Sequence, residues 1–135
     1  MLMKPPALSS NTIPLTVWAM ALVSVSLSAI AQYLMKTAMS GPVIRSALAE
    51  NLLTGAMKAA TEPFLIAGLS CYGVSMLLWL VCLSRMPLTV AYPLVSLSLV
   101  MVVGLATVFG GERVSNAQFL GIALIIGGVL LVGRR

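Results

Sequence analysis

The sequence predicts an all-α membrane protein. It is expected to form one transporter-like domain over residues 1–135, with four transmembrane helices and an interfacial amphipathic segment between helices 1 and 2. Three observations lead there. The chain is 60% hydrophobic and 8% charged, with a mean hydropathy of +1.08, where soluble domains carry about 25% charged residues. Its apolar runs reach the ~18 residues a helix needs to cross a ~30 Å hydrocarbon core. They lack the apolar-polar alternation of barrel strands.

Residues 1–11 hold Lys4, two prolines and two serines and are expected as a short, poorly ordered tail. Thr12 and Pro14 suit a helix start. The first span is expected at about 14–39. Ala29-Ile30-Ala31 resembles a small-x-small cleavage site, but long apolar sequence precedes it and further spans follow, so an uncleaved helix is expected. Ser40-Gly41-Pro42 ends it. The stretch from Val43 to Thr61 mixes Arg45, Glu50 and Lys58 with Val43, Ile44, Leu48, Leu52 and Leu53. It is too polar to span. It is expected as an interfacial amphipathic helix or structured loop, with a plain connecting loop as the alternative.

Pro63 opens the second span, at about 64–84. Small residues fill its first half, and Trp79 lies late enough to anchor at an interface. Cys71 and Cys82 fall about 16 Å apart on this helix, too far to bond to each other. Arg85-Met86-Pro87 is a tight connection to the third span, at about 88–109. Pro93 removes a backbone donor there and frees a carbonyl, which is tolerated in a bilayer where backbone meets protein or a cavity. Gly110 to Ser115 forms the next turn, with Ser115 or Asn116 as the cap of a fourth span at about 117–132. In that span Ala117 and Gly121, like Ala123 and Gly127, stand four apart. This small-xxx-small spacing is expected to serve dimer packing.

Ser24, Ser28, Gln32 and Lys36 recur at every fourth position of the first span. On a helix they form a polar stripe about 18 Å long. A membrane helix has no reason to show such a stripe to lipid, so it should face other helices or a polar cavity. For the serines, hydrogen bonds between helices are an equal alternative, and Lys36 has the option of snorkelling to the interface.

Other classes fall away. The net charge of +5 comes from few residues, fits contact with anionic lipid, and is no nucleic-acid footprint. There is no His and no ligand set for a metal. No Gly-x-x-x-x-Gly-Lys loop is present, so ATP is not the direct driver. No cofactor is expected, and the chain is not expected to be an enzyme. The eight Lys and Arg residues divide evenly between the two sides: Lys4, Arg85, Arg134 and Arg135 against Lys36, Arg45, Lys58 and Arg113. The positive-inside rule does not orient the chain. All three acids (Glu50, Glu62, Glu112) fall on the second side, which leaves cytoplasmic termini as the expectation. Four helices hardly enclose a pathway, and many transporters pair two halves. A homodimer, or a heterodimer with a related four-helix chain, is therefore expected.

The segment Leu83 to Ser98, with Arg85-Met86-Pro87 and Ala91-Tyr92-Pro93, resembles the third-helix signature of the drug/metabolite transporter superfamily. Gly111-Glu112-Arg113-Val114-Ser115, with the glycine-rich helix after it, resembles that group's terminal turn and helix. Gln32-Tyr33-Leu34-Met35-Lys36 resembles the end of its first helix. The resemblance covers roughly residues 18 to 133. Among the four-helix branches, small multidrug resistance proteins carry a membrane glutamate eight residues before this lysine. Here that position is Ser28, and no acid lies in any span. A proton-coupled cation exporter needs an ionisable group for which both ligands compete. The chain is more similar to the small flippase subunits for aminoarabinose-phosphoundecaprenol of the bacterial inner membrane, in Ser28, Gln32, Lys36, Tyr92-Pro93 and Ser96.

This resemblance implies translocation of a polyprenyl-phosphate-linked sugar. It places Lys36 on the phosphate and Gln32, Ser28 and Ser24 on the sugar. Tyr92, Ser96 and the carbonyl freed by Pro93 become the opposite wall, with a packing kink as the alternative for Tyr92-Pro93. Arg85 becomes a second phosphate contact, with an ordinary flanking charge as the alternative for Arg85 and Arg113. The implied partners are the lipid-linked sugar phosphate, membrane lipids and a second subunit. The alternatives are a small-solute or drug transporter that works without the membrane glutamate, and a non-transporting subunit that scaffolds an enzyme.

Overall fold

In the computed structural model, residues 13–133 are described; the tail expected at residues 1–11 and the terminal Arg134 and Arg135 lie outside the described residues. Six helices follow one another: α1 (Leu15–Met39), α2 (Pro42–Glu50), α3 (Leu52–Ala60), α4 (Pro63–Leu83), α5 (Leu88–Val108) and α6 (Asn116–Gly133). The described residues contain no strand. Helices α1, α4 and α5, of 25, 21 and 21 residues, are each long and apolar enough to cross a membrane. α6 is as apolar but has 18 residues, about 27 Å at 1.5 Å per residue.

The ends follow from local chemistry. Pro14 cannot extend α1 backwards but offers its carbonyl to Val17 N–H at 2.9 Å. At the other end Ser40 gives both its N–H and its hydroxyl to the Lys36 carbonyl, at 2.9 and 2.8 Å, satisfying an acceptor the last turn would leave open. Pro42 and Pro63 sit in the first turns of α2 and α4, where a missing N–H costs nothing. Gly111, with φ 65, turns the chain after α5. Ser115 then caps α6. Its hydroxyl accepts from Gln118 N–H at 3.3 Å while the Gln118 carboxamide accepts from Ser115 N–H at 2.8 Å, a reciprocal capping box.

α1 is the central helix. It packs along α4 on one side and α5 on the other, whereas α4 and α5 touch little beyond their connecting turn, and α6 rests on α5. Small residues make the α1–α4 approach close: Ala21, Ala29, Ala31 and Ala38 of α1 are buried, as is Gly68 of α4. Near the start of α1, Val17, Ala21, Cys82, Met86 and Ala91 form an apolar cluster. Trp79, expected as an interfacial anchor, packs partly onto it. The outer faces of α4, α5 and α6 expose Leu69, Leu77, Val108, Phe119, Leu124 and Leu131. Such surfaces suit hydrocarbon.

The stretch between α1 and α4 is not one helix but two. They fold back as a hairpin joined by the single extended residue Asn51 (φ −157, ψ 134), whose side chain accepts from Leu53 N–H at 3.0 Å and caps α3. Ile44, Ala47, Gly55 and Ala59 are buried in it, while Val43, Leu52, Leu53 and Met57 remain exposed. The hairpin barely touches the long helices.

Candidate functional site

The stripe on α1 becomes more open from the middle of the helix to its end. Ser24 is 2% exposed, Ser28 is half-buried, and Gln32 and Lys36 are exposed. Ser24 is bonded across to α4. Its hydroxyl donates to the Ser75 carbonyl at 2.8 Å, the Ser75 hydroxyl donates to the Ser24 carbonyl at 2.8 Å, and the two oxygens lie 3.3 Å apart. This is the inter-helix bonding weighed for the serines from sequence. The Ser28 hydroxyl turns back to the Val25 carbonyl at 2.8 Å.

The stripe borders two hollows, and Gln32 lines both. The first, about 250 Å³, lies between α1, α4 and α5. Ser28 and Gln32 line it with Tyr72, Trp79, Val95 and Ser98. The second, about 330 Å³, lies between the end of α1, α5 and α6, and is lined by Gln32, Tyr33, Lys36, Glu112, Arg113 and Gln118 among others. Tyr33 and Phe109 hold the end of α1 to the end of α5, with ring centroids 6.3 Å apart and planes at 56°. Polar groups thus punctuate mostly apolar walls, hydroxyls in the middle of the bundle and charges at the rim, with Gln32 common to both hollows.

At that rim Lys36 pairs with Glu112 across 76 residues of sequence, the only ion pair among the described residues. Arg113 lines the same hollow. Two cations and one carboxylate leave the rim with a surplus positive charge. Lys36 also lies in the last turn of α1, where a cation is favoured by the helix dipole. The carbonyl of Ala106 accepts from Glu112 N–H at 3.1 Å and fixes the carboxylate's backbone over the end of α5.

The other residues singled out from sequence lie elsewhere. Tyr92 is 64% exposed, and neither it nor Ser96 lines either hollow. The α5 positions that do are Val95, Ser98, Leu99, Val102, Val103, Ala106 and Thr107. Tyr92 and Ser96 stand about 100° round the helix from Ala91 and Val95. Pro93 borders a separate apolar groove of about 650 Å³ with Trp18, Val90, Leu94 and Gly127. Arg85 is exposed in the α4–α5 turn, at the end of the bundle opposite Lys36. In α6, Gly121 and Gly127 line the rim hollow and the apolar groove, whereas Ala117 and Ala123 are exposed. Sequence reasoning passed over Ser98, Glu112 and Gln118 as lining residues. Ser98 had a signal, since it stands three and four residues from Val95 and Val102 on one helical face.

Comparison with known proteins agrees with a transport fold. The model of the EamA-like transporter family matches residues 7–134. A probable 4-amino-4-deoxy-L-arabinose-phosphoundecaprenol flippase subunit ArnE of Aeromonas hydrophila subsp. hydrophila is 44% identical over 72 residues, 53% of this chain and 63% of that protein. The protein of the same name from Escherichia fergusonii is 44% identical over 66 residues, 49% of this chain and 60% of that one. The one from Salmonella paratyphi B is 34% identical over 93 residues, 69% of this chain and 84% of that one. The chain thus spans a little under two thirds of the first two relatives' length. No solved structure matches it.

Proposed function

This chain belongs to the EamA-like transporter family, and from that membership we propose that it is a flippase subunit that moves a polyprenyl-phosphate-linked sugar across the bacterial inner membrane. The observation that carries the reading is the polar stripe of α1, whose Gln32 lines both a hydroxyl-bearing hollow and a hollow with a cationic rim. Relatives whose names specify a sugar-phosphoundecaprenol support the substrate class. The physical problem is the head group. Its phosphate and hydroxyls lose hydration on entering hydrocarbon, at a cost of several kcal/mol per unpaired group. A track open to lipid at its side lets the isoprenoid tail stay in the bilayer while the head exchanges water for protein partners. Lys36 and Arg113 meet the phosphate through charge-assisted hydrogen bonds. Gln32, Ser28 and Ser98 offer neutral hydrogen bonds farther in. Ser24 acts one step back, as the joint that holds the track's wall on α4.

In this reading α6 completes the four spans and the termini are cytoplasmic. The exposed apolar residues of the α2–α3 hairpin lie in the membrane interface, with Arg45 and Lys58 reaching toward lipid head groups. A second subunit, a copy or a related four-helix chain, closes the open side of the hollows, packing through the small residues of α6. Tyr92 and Ser96, which face away from the hollows of one chain, serve a pathway shared between two. Arg85 meets phosphate at the far interface. The alternative is a small-solute or drug transporter that works without the usual membrane glutamate, since Glu50, Glu62 and Glu112 all lie outside α1, α4, α5 and α6 and leave no carboxylate in those helices for proton-coupled export of cations.

The test in cells is Lys36→Ala. The variant should insert into the membrane at wild-type level and fail to deliver the lipid-linked sugar to the outer leaflet. Full delivery by that variant would refute the phosphate role.

A further inference from the structure

We propose that Glu112 is a competing counter-ion for the phosphate, occupying Lys36 when the rim is empty and being displaced when the head group arrives. The inference rests on the flippase reading of the rim and adds a residue to it.

Lys36 on α1 and Glu112 on the α5–α6 turn pair directly across the mouth of the rim hollow. Among the described residues Glu112 is the only carboxylate lining that hollow, and its backbone is tied to Ala106. A phosphate that approaches the Lys36 ammonium competes with the carboxylate already on it, because two anions on one ammonium repel each other at contact distance. Binding is therefore an exchange. The Lys36–Glu112 pair breaks, the Lys36–phosphate pair forms, and the released carboxylate turns to water or toward Arg113, its chain neighbour on the same hollow. The number of ion pairs at Lys36 does not change.

That exchange suits transport. A site that moves its ligand must bind firmly enough to accept it and weakly enough to let it go. A bare lysine at the end of a membrane helix would hold a phosphate and stall. A carboxylate waiting beside it weakens the hold and takes Lys36 back as the head group leaves. Both side chains are about half exposed, 53% and 51%, so the competition is that of a partly solvated pair and limits the effect to about two- to fivefold in affinity.

The test measures equilibrium binding of radiolabelled farnesyl phosphate to the full-length protein in nanodiscs. Wild type is compared with Glu112→Gln, Lys36→Gln and the double variant, each checked for helix content and monodispersity. Glu112→Gln should bind about two- to fivefold more tightly than wild type. Lys36→Gln should bind more weakly, and the double variant should match Lys36→Gln, because the carboxylate acts only through the ammonium. In liposomes Glu112→Gln should translocate the lipid-linked sugar more slowly despite its tighter hold. Glu112→Ala provides the same comparison should Glu112→Gln not fold. Equal or weaker binding by both Glu112 variants, with Lys36→Gln still impaired, overturns the counter-ion role and leaves the flippase reading standing. Equal binding by wild type and Lys36→Gln overturns the phosphate anchor itself, and the counter-ion role with it.

Discussion

Two glycines of α4 give a matched test of how α1 is held. A Cβ at Gly68 would lie 2.8 Å from Met35 Cγ, 3.1 Å from the Ala31 carbonyl oxygen and 3.2 Å from Met35 N. At Gly73 it would meet nothing within 4 Å. Glycine-to-alanine substitution inside a helix gains about 0.5–1 kcal/mol by restricting the unfolded backbone. That gain is common to both positions and cancels in their comparison. What differs is the methyl at Gly68, which meets two backbone atoms of α1. Backbone cannot swing aside as a side chain can, so α1 must back away along the seam it shares with α4. Overpacking of this kind costs about 1–3 kcal/mol. Gly68→Ala should therefore be less stable than Gly73→Ala by about 1–3 kcal/mol. The assay is reversible unfolding by SDS in mixed micelles, followed by far-UV circular dichroism on both variants. Equal stability, or a more stable Gly68→Ala, would refute the close α1–α4 approach on which the placement of the polar stripe depends.

Three further outcomes follow from the same geometry. Ser24→Ala and Ser75→Ala should each cost about 0.6 kcal/mol, the average worth of a hydrogen bond between membrane helices, because each removes one hydroxyl donated to the other residue's backbone carbonyl, and the double variant should lose nearly the sum; wild-type stability of both single variants in the same unfolding assay would contradict the reciprocal bonds. Ser115→Ala should cost about 0.5–2 kcal/mol by opening the cap of α6, and hydrogen exchange should rise at the first turn of that helix while α4 is unchanged. Gln32→Ala should slow lipid translocation about two- to thirteenfold, the worth of one hydrogen bond of about 0.5–1.5 kcal/mol from the residue that lines both hollows; an unchanged rate would remove Gln32 from the path.

The long helices are legible in the sequence because their boundaries are local chemistry. Ser40-Gly41-Pro42, Pro63 and Pro87 each stop or start a helix whatever surrounds them, and the ends of α1, α4 and α5 fall within a residue of where those signals put them. The four-residue stripe is legible for the same reason, since its spacing is a property of one helix. What each stripe residue touches is not. Ser24 faces Ser75, 51 residues away, and nothing on α1 itself distinguishes a hydroxyl bonded to a neighbouring helix from one open to a cavity. The amphipathic stretch is legible as polar and helical, but its break into a hairpin depends on Asn51 adopting an extended backbone that composition does not announce. The second wall is hardest. Tyr92 and Ser96 are the more conspicuous residues, yet the rotation of α5 is set by the packing of Ala91 into the cluster with Val17 and Ala21. That rotation brings Val95 and Ser98 to the hollows instead. Likewise Glu112 reads as an ordinary turn residue until the ends of α1 and α5 are brought together.

The most direct measurement of the central claim is lipid sidedness. The purified protein, and separately the protein with any co-purifying four-helix partner, would be placed in liposomes carrying a labelled polyprenyl-phosphate sugar in one leaflet. An impermeant reagent would then report how quickly the head group appears on the other side. A flippase should accelerate that appearance over protein-free liposomes, and Lys36→Ala should lose the acceleration. Folded protein that gives no acceleration, alone or with its partner, or acceleration that survives Lys36→Ala unchanged, would contradict the claim.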